Sequence, residues 1–186
     1  LLSRYAKAWQ GVKTGDNEYF TVNFWEIPQV DGAWQRLLSS SAGTDFYSGR
    51  SSLIRDGRLS APTEWARIQG MDAWGSEGVA VSAVGSFRST LYRGEGFDSS
   101  PTVIIPGDRQ HLEAIWAFCV SGKLEEAVRK IDSKTAVTTA TIAKVPFDLD
   151  YWRAIAEGDG QLPAPFSNDP TQWLFNGTVS SSAWPL

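Results

Sequence analysis

The strongest constraint on the fold is a stripe of apolar residues at helical spacing. Leu112, Ile115, Trp116, Cys119 and Val120 fall at i, i+3, i+4, i+7 and i+8. That spacing lines one face of an α-helix. Asp108 stands where it caps the helix start. After Gly122 the stripe resumes with Leu124, Ala127, Val128 and Ile131. The pattern predicts a helix pair, or one bent helix, over about 108–131.

The rest of the chain reads as short strands and loops. Residues 1–10 read as the end of a helix or linker, and the abrupt start suggests a piece cut from a longer polypeptide. Two glycines with Thr, Asp and Asn make 11–17 a loop. Residues 18–27 are aromatic and β-branched, which predicts a strand. The pattern from 31 to 78 is weak, with a short helix expected over 62–70. Residues 79–84 and 87–92 read as a hairpin, and 102–105 as a strand stopped by Pro106. Residues 135–142 suggest another strand. Asp148 is placed to cap a last helix through Glu157. The remainder, 158–186, is rich in Pro, Ser, Asn and Gly and reads as an irregular C-terminal extension. The expected fold is α+β: short mixed strands with one helical pair in a single domain over 11–157.

Composition narrows the function. With 186 residues the chain can bury a core without covalent staples. One cysteine, Cys119, excludes an internal disulfide framework, and one histidine, His111, disfavours the usual zinc sites, so no metal is expected. No apolar run approaches the roughly 20 residues that span a bilayer, so no membrane partner is expected. Scarce cysteine points to a reducing, cytoplasmic setting. The net charge of −4 gives no bulk attraction for a polyanion, so any such site is local. Arginine is nevertheless enriched: seven of the eleven lie between Arg50 and Arg109.

Catalytic constellations are missing. There is no nucleophile elbow. His111 falls in the first turn of the expected helix and Cys119 on its apolar face. The carboxylate pair Glu125 and Glu126 does not converge, because adjacent helical positions do not face each other. Gly11-Val-Lys-Thr-Gly15 lacks phosphate-loop spacing. What remains is a polar loop with Lys13, Thr14 and Asn17, arginines on loop or strand segments, and nine tryptophans. Arginine forks onto a guanine edge or a phosphate, and asparagine pairs with adenine.

At this point the sequence resembles a known group. Gly11, Val12, Thr14, Gly15, Asn17 and Phe20 match a G-[IVL]-x-T-G-x-N-x-x-F motif. It opens the target-recognition region of large adenine-specific DNA methyltransferases, among them Eco57I-like restriction–modification enzymes and BREX- and DISARM-type methylases. Later stretches agree in order: Gly78 to Arg88, Gly96-Phe97, Ile104-Ile105-Pro106, the helix at 112–121, Lys144-Val-Pro-Phe147 and Asp169 to Gly177. The family's catalytic Asn/Asp-Pro-Pro-Tyr/Phe motif and its S-adenosylmethionine loop are absent. The resemblance therefore implies an excised recognition domain, not an enzyme by itself, that binds no cofactor. S-adenosylmethionine is expected in a missing catalytic domain attached in cis.

The resemblance implies double-stranded DNA as partner. Lys13, Thr14, Asn17, Arg50, Arg55, Arg58, Arg88 and Arg93 are the expected DNA-binding residues. Phosphates would be gripped by cations and loop N–H groups, and base edges read from loops between residues 43 and 93. Two other classes compete. A carbohydrate-binding module, suggested by the tryptophans, requires an all-β sandwich. A protein-interaction module of a larger assembly requires only a suitable surface.

Overall fold

The computed structural model describes residues 1–41, 43–55 and 66–177. Among these, eight short strands form two four-stranded sheets. In chain order they are β1 (Ala6–Gln10), β2 (Thr21–Asn23), β3 (Trp34–Leu38), β4 (Ser52–Arg55), β5 (Gly78–Ser82), β6 (Ser89–Tyr92), β7 (Gly96–Phe97) and β8 (Pro101–Pro106). The first sheet has order β1-β8-β5-β6 and is antiparallel throughout. The second has order β2-β4-β3-β7, with β3 and β7 parallel. The helices are α1 (Asn17–Phe20), α2 (Leu112–Val120), α3 (Lys123–Ile131), α4 (Thr139–Ala143) and α5 (Leu149–Asp159). The α+β class and the helical pair are as the sequence predicts. An all-β sandwich, which the carbohydrate-binding reading requires, is not what forms.

Three layers follow from the two faces of the first sheet. Successive strand residues point to opposite faces. Val79, Val81, Leu91 and Ile104 join a core with Leu112, Ile115, Phe118 and Trp152 of the helices. Ala80, Tyr92 and Val103, one residue out of phase, pack with Leu38 and Phe97 of the second sheet. The first sheet is thus sandwiched, and all five residues of β5 are buried. A third cluster, Val12, Phe20, Leu37 and Ile54, underlies the second sheet.

The helical pair behaves as its sequence dictates. The Asp108 carboxylate accepts a hydrogen bond from Gln110 N at 2.9 Å and opens a 3-10 turn (Arg109–His111) that runs into α2. Gly122 separates α2 from α3 at φ +79°, a conformation that L side chains rarely adopt. Leu124 and Val128 are buried, but Ile131, the last member of the stripe, is 49% exposed. Asp148 caps α5 through Tyr151 N at 3.2 Å, and the helix runs past Gly158 to Asp159 before Gly160 ends it.

Several expectations fail, for tertiary reasons. Residues 1–10 are not the end of a helix: a 3-10 turn (Leu2–Arg4) leads into β1, whose Trp9 pairs with Val103 of β8. Helix-compatible Ala and Lys yield there to sheet pairing, because propensity is a weak prior. Residues 18–27 are not one strand. Asp16 caps α1 through Tyr19 N at 3.1 Å, β2 is three residues long, and Asn23 N donates to Glu26 in a capping box over Phe24–Glu26. Over 135–142 the Thr138 hydroxyl caps helix α4, where a strand was expected. Strands β3 and β4 lie in the stretch that showed only a weak pattern. Of the helix expected over 62–70, residues 62–65 lie outside the described residues, and Arg67 makes a β-bridge to Lys13.

The C-terminal extension is anchored. Arg50 N donates to Gln172 Oε1 at 2.7 Å, Trp173 N donates to Arg50 O at 3.2 Å, and the Tyr47 hydroxyl donates to Pro163 O at 2.9 Å. Residues 161–177 thus form an irregular strap anchored to the connection between β3 and β4.

Candidate nucleic-acid interface

The G-V-x-T-G-x-N motif is a loop whose geometry each residue explains. The chain leaves β1 and passes against β7 at Gly11. A Cβ there would lie 2.1 Å from Phe97 O and 2.3 Å from Asp98 O. Only glycine permits that approach. Val12 N donates to Phe97 O at 2.8 Å, and Lys13 exchanges two backbone hydrogen bonds with Arg67, at 3.0 and 2.7 Å. Gly15 turns the chain at φ +75°. The Thr14 hydroxyl, buried at 4% exposure, donates to Asn17 Oδ1. Thr14 and Asn17 therefore hold the loop in shape, while Asn17 and Lys13 remain exposed.

This loop closes on residues 98–100. Together Val12, Lys13, Thr14, Gly15 and Asn17 with Asp98, Ser99 and Ser100 line a polar pocket of 240 Å³. Asp98 is its acidic member and is only 9% exposed. Its Oδ2 accepts from Ser39 Oγ at 2.8 Å and its Oδ1 from Ser100 N at 2.7 Å. Burial raises its pKa above the usual carboxyl value, against the pull of the Ser100 and Ser39 hydrogen bonds. The sequence pattern does not single out Asp98. The available signal was the polar Asp-Ser-Ser run between Gly96-Phe97 and the strand after it.

The expected DNA-binding residues do not form one patch. Lys13, Thr14 and Asn17 meet at the pocket. Arg55 ends β4, exposed, with its guanidinium 5.8 Å from the centre of the Trp34 ring. Arg88 is exposed in the β5–β6 turn. Arg93 is exposed but pairs with Glu77, which also takes Arg109 Nε at 2.5 Å. Arg58 lies outside the described residues.

Arg50 is a correction. Its exposure is 0%, so no duplex reaches it. Its guanidinium meets Glu95 at 2.7 Å and donates to Ser48 O at 3.0 Å and Thr90 Oγ1 at 3.3 Å. It also donates to Leu91 O. Burial lowers its pKa and Glu95 opposes that shift. A Ser-Gly-Arg-Ser-Ser context reads as exposed loop, and nothing local reveals that Glu95 waits 45 positions away.

Other reactive groups are quiet. Cys119 is buried, and burial pushes its thiol pKa well up, away from the nucleophilic thiolate. His111 packs edge-on against Tyr5 at 5.7 Å between ring centres. Among the described residues no three His, Cys, Asp or Glu side chains are grouped to hold a metal. None of the described helices is long and apolar enough to cross a membrane. An apolar groove of 690 Å³ lies on the helical layer, lined in part by Phe118, Ile131, Phe147, Tyr151 and Ile155. It shares no residue with the polar pocket.

No protein-family model and no curated protein matches the sequence. Among solved structures, the HsdS subunit from Thermoanaerobacter tengcongensis has a similar fold, with a TM-score of 0.52 at 12% sequence identity. The match covers 84% of this chain and 34% of the HsdS subunit, so the chain spans about a third of that protein's length and shares its fold over that third.

Proposed function

We propose that this chain is a DNA target-recognition domain of a restriction–modification or phage-defence system. Its parent would be a S-adenosylmethionine-dependent N6-adenine methyltransferase. The observation that carries the reading is the pocket: the motif that bears the family resemblance, residues 11–17, closes on 98–100 to place polar groups of both kinds at one mouth. The fold shared with the HsdS subunit supports it. In this reading catalysis and S-adenosylmethionine belong to a separate domain in cis, which takes a flipped adenine. This chain's own part is to grip and read the flanking duplex. Lys13, Arg55 and Arg88 supply cations on exposed elements, and Asn17 lies at the pocket mouth.

Fluorescence anisotropy on a labelled duplex, titrated from about 50 to 200 mM salt, tests this. Binding that weakens steeply with salt indicates phosphate contacts and counterion release. Absence of binding to any duplex at low salt overturns the reading. A protein-interaction module is the second reading, favoured by the apolar groove between α3 and α5. It predicts no salt-dependent duplex binding.

A further inference from the structure

The polar pocket contains a carboxylate, and that decides what it can hold. Each Asp98 oxygen already accepts one hydrogen bond, from Ser39 and from Ser100. A carboxylate has about four acceptor sites, so capacity remains on both oxygens. A phosphate seated here would face a buried negative charge and lose more than Lys13 returns. A carbonyl-bearing base edge would set acceptor against acceptor. A neutral group with N–H donors meets the opposite case, since hydrogen bonds to a charged acceptor are the strong ones. At 240 Å³ the pocket is below the usual range for drug-sized ligands and suits the edge of one flat ring.

We infer that Asp98 is a specificity-determining residue that accepts a hydrogen bond from the exocyclic amino group of an adenine or cytosine brought to the 11–17 loop. Among the bases' groove-facing edges, cytosine N4 and adenine N6 are the amino donors in the major groove, where guanine O6 and thymine O4 are acceptors. Asp98 therefore admits A or C at one position and rejects G and T. Ser39 and Ser100 fix the carboxylate by hydrogen bonds, and Gly11 lets the motif loop pack against the backbone of Phe97 and Asp98. This inference rests on the DNA-recognition reading above.

The test uses the full chain and a randomised 30-base-pair duplex pool, selected by binding and sequenced. The wild type is expected to return a motif with A or C at one position. Asp98→Asn is expected to relax that position. A second arm leaves the protein unaltered. The amino group is removed from the DNA, with purine in place of adenine or 2-pyrimidinone in place of cytosine. At the reading position this weakens wild-type binding roughly tenfold and leaves Asp98→Asn binding unaffected. Which analogue acts tells adenine from cytosine. An unchanged motif in Asp98→Asn, or wild-type binding indifferent to both analogues at every A and C, overturns the role of Asp98. Duplex binding with no sequence preference overturns it too, while leaving a DNA-binding domain. Failure to bind any duplex overturns the domain reading itself.

Discussion

The Arg50 guanidinium lies 2.7 Å from the Glu95 carboxylate in a place that solvent does not reach. Arg50 follows the loop into β4 and Glu95 precedes β7, so the pair ties two connections of the second sheet to each other. The backbone of Arg50 also holds Gln172 and Trp173 of the strap. Removing one partner strands a buried charge. Arg50→Ala should cost about 3–5 kcal/mol of folding stability, read from urea unfolding. A loss below 1 kcal/mol would show that the pair is not buried as described.

The charge on Asp98 should make stability depend on pH. Its pKa is raised in the folded protein, so there it keeps a proton that the unfolded chain has released. Folded protein then binds more protons than unfolded over that window, and stability from this group falls as pH rises through it. Acidification below the ordinary carboxyl value removes the penalty. Unfolding free energies of wild type and Asp98→Asn between pH 4 and 7 should diverge in favour of the variant as pH rises. A difference independent of pH would count against the burial of this carboxyl.

Gly11 should tolerate no side chain. The Cβ of Gly11→Ala meets two backbone oxygens, which cannot move aside as a flexible side chain would. A cost of roughly 3 kcal/mol is expected. Gly32→Ala is the control, because nothing lies within 4 Å of a Cβ there. Equal midpoints for the two variants in chemical denaturation would refute the close approach of β1 and β7.

Cys119 should resist thiol reagents in the native protein. It is buried on α2, and its thiolate is disfavoured. Labelling by a disulfide reagent at pH 8 should proceed only as fast as the helix layer opens, and reach completion at once in denaturant. Immediate labelling of the native chain would contradict the packing of α2.

Lys13 and Arg55 should act through phosphate and not through sequence choice. Lys13→Ala and Arg55→Ala are each expected to lower the slope of log affinity against log salt by about one, with the recovered motif unchanged. Unaltered slopes would remove these side chains from the duplex contact.

The legible parts of the fold were those written in local patterns. The stripe from Leu112 to Val128, apart from the exposed Val120, and the caps at Asp108 and Asp148 are short-range features, and the structure keeps them. β1 was misread because its partner, β8, lies far along the chain. Residues 135–142 were misread because β-branched threonines also cap helices, and Thr138 does so. The site was half legible. The motif loop with Thr14, Gly15 and Asn17 stood out, whereas Asp98 joins it only through the parallel bridge from Val12. Arg50 was misassigned because an arginine's burial depends on a distant carboxylate, and the sequence pattern holds no trace of that pairing.

The pairing of Trp9 with Val103 has a consequence for how such a module can be exchanged between proteins. The first and last strands of the chain lie side by side in one sheet, and β7 leaves that sheet's sequence to complete the other. Neither sheet is encoded by a continuous half of the gene. A crossover between Asn23 and Gly96 would divide both sheets between two parents. The fold can therefore be moved intact as a whole cassette, with its joints outside Ala6 and beyond the strap that ends at residue 177.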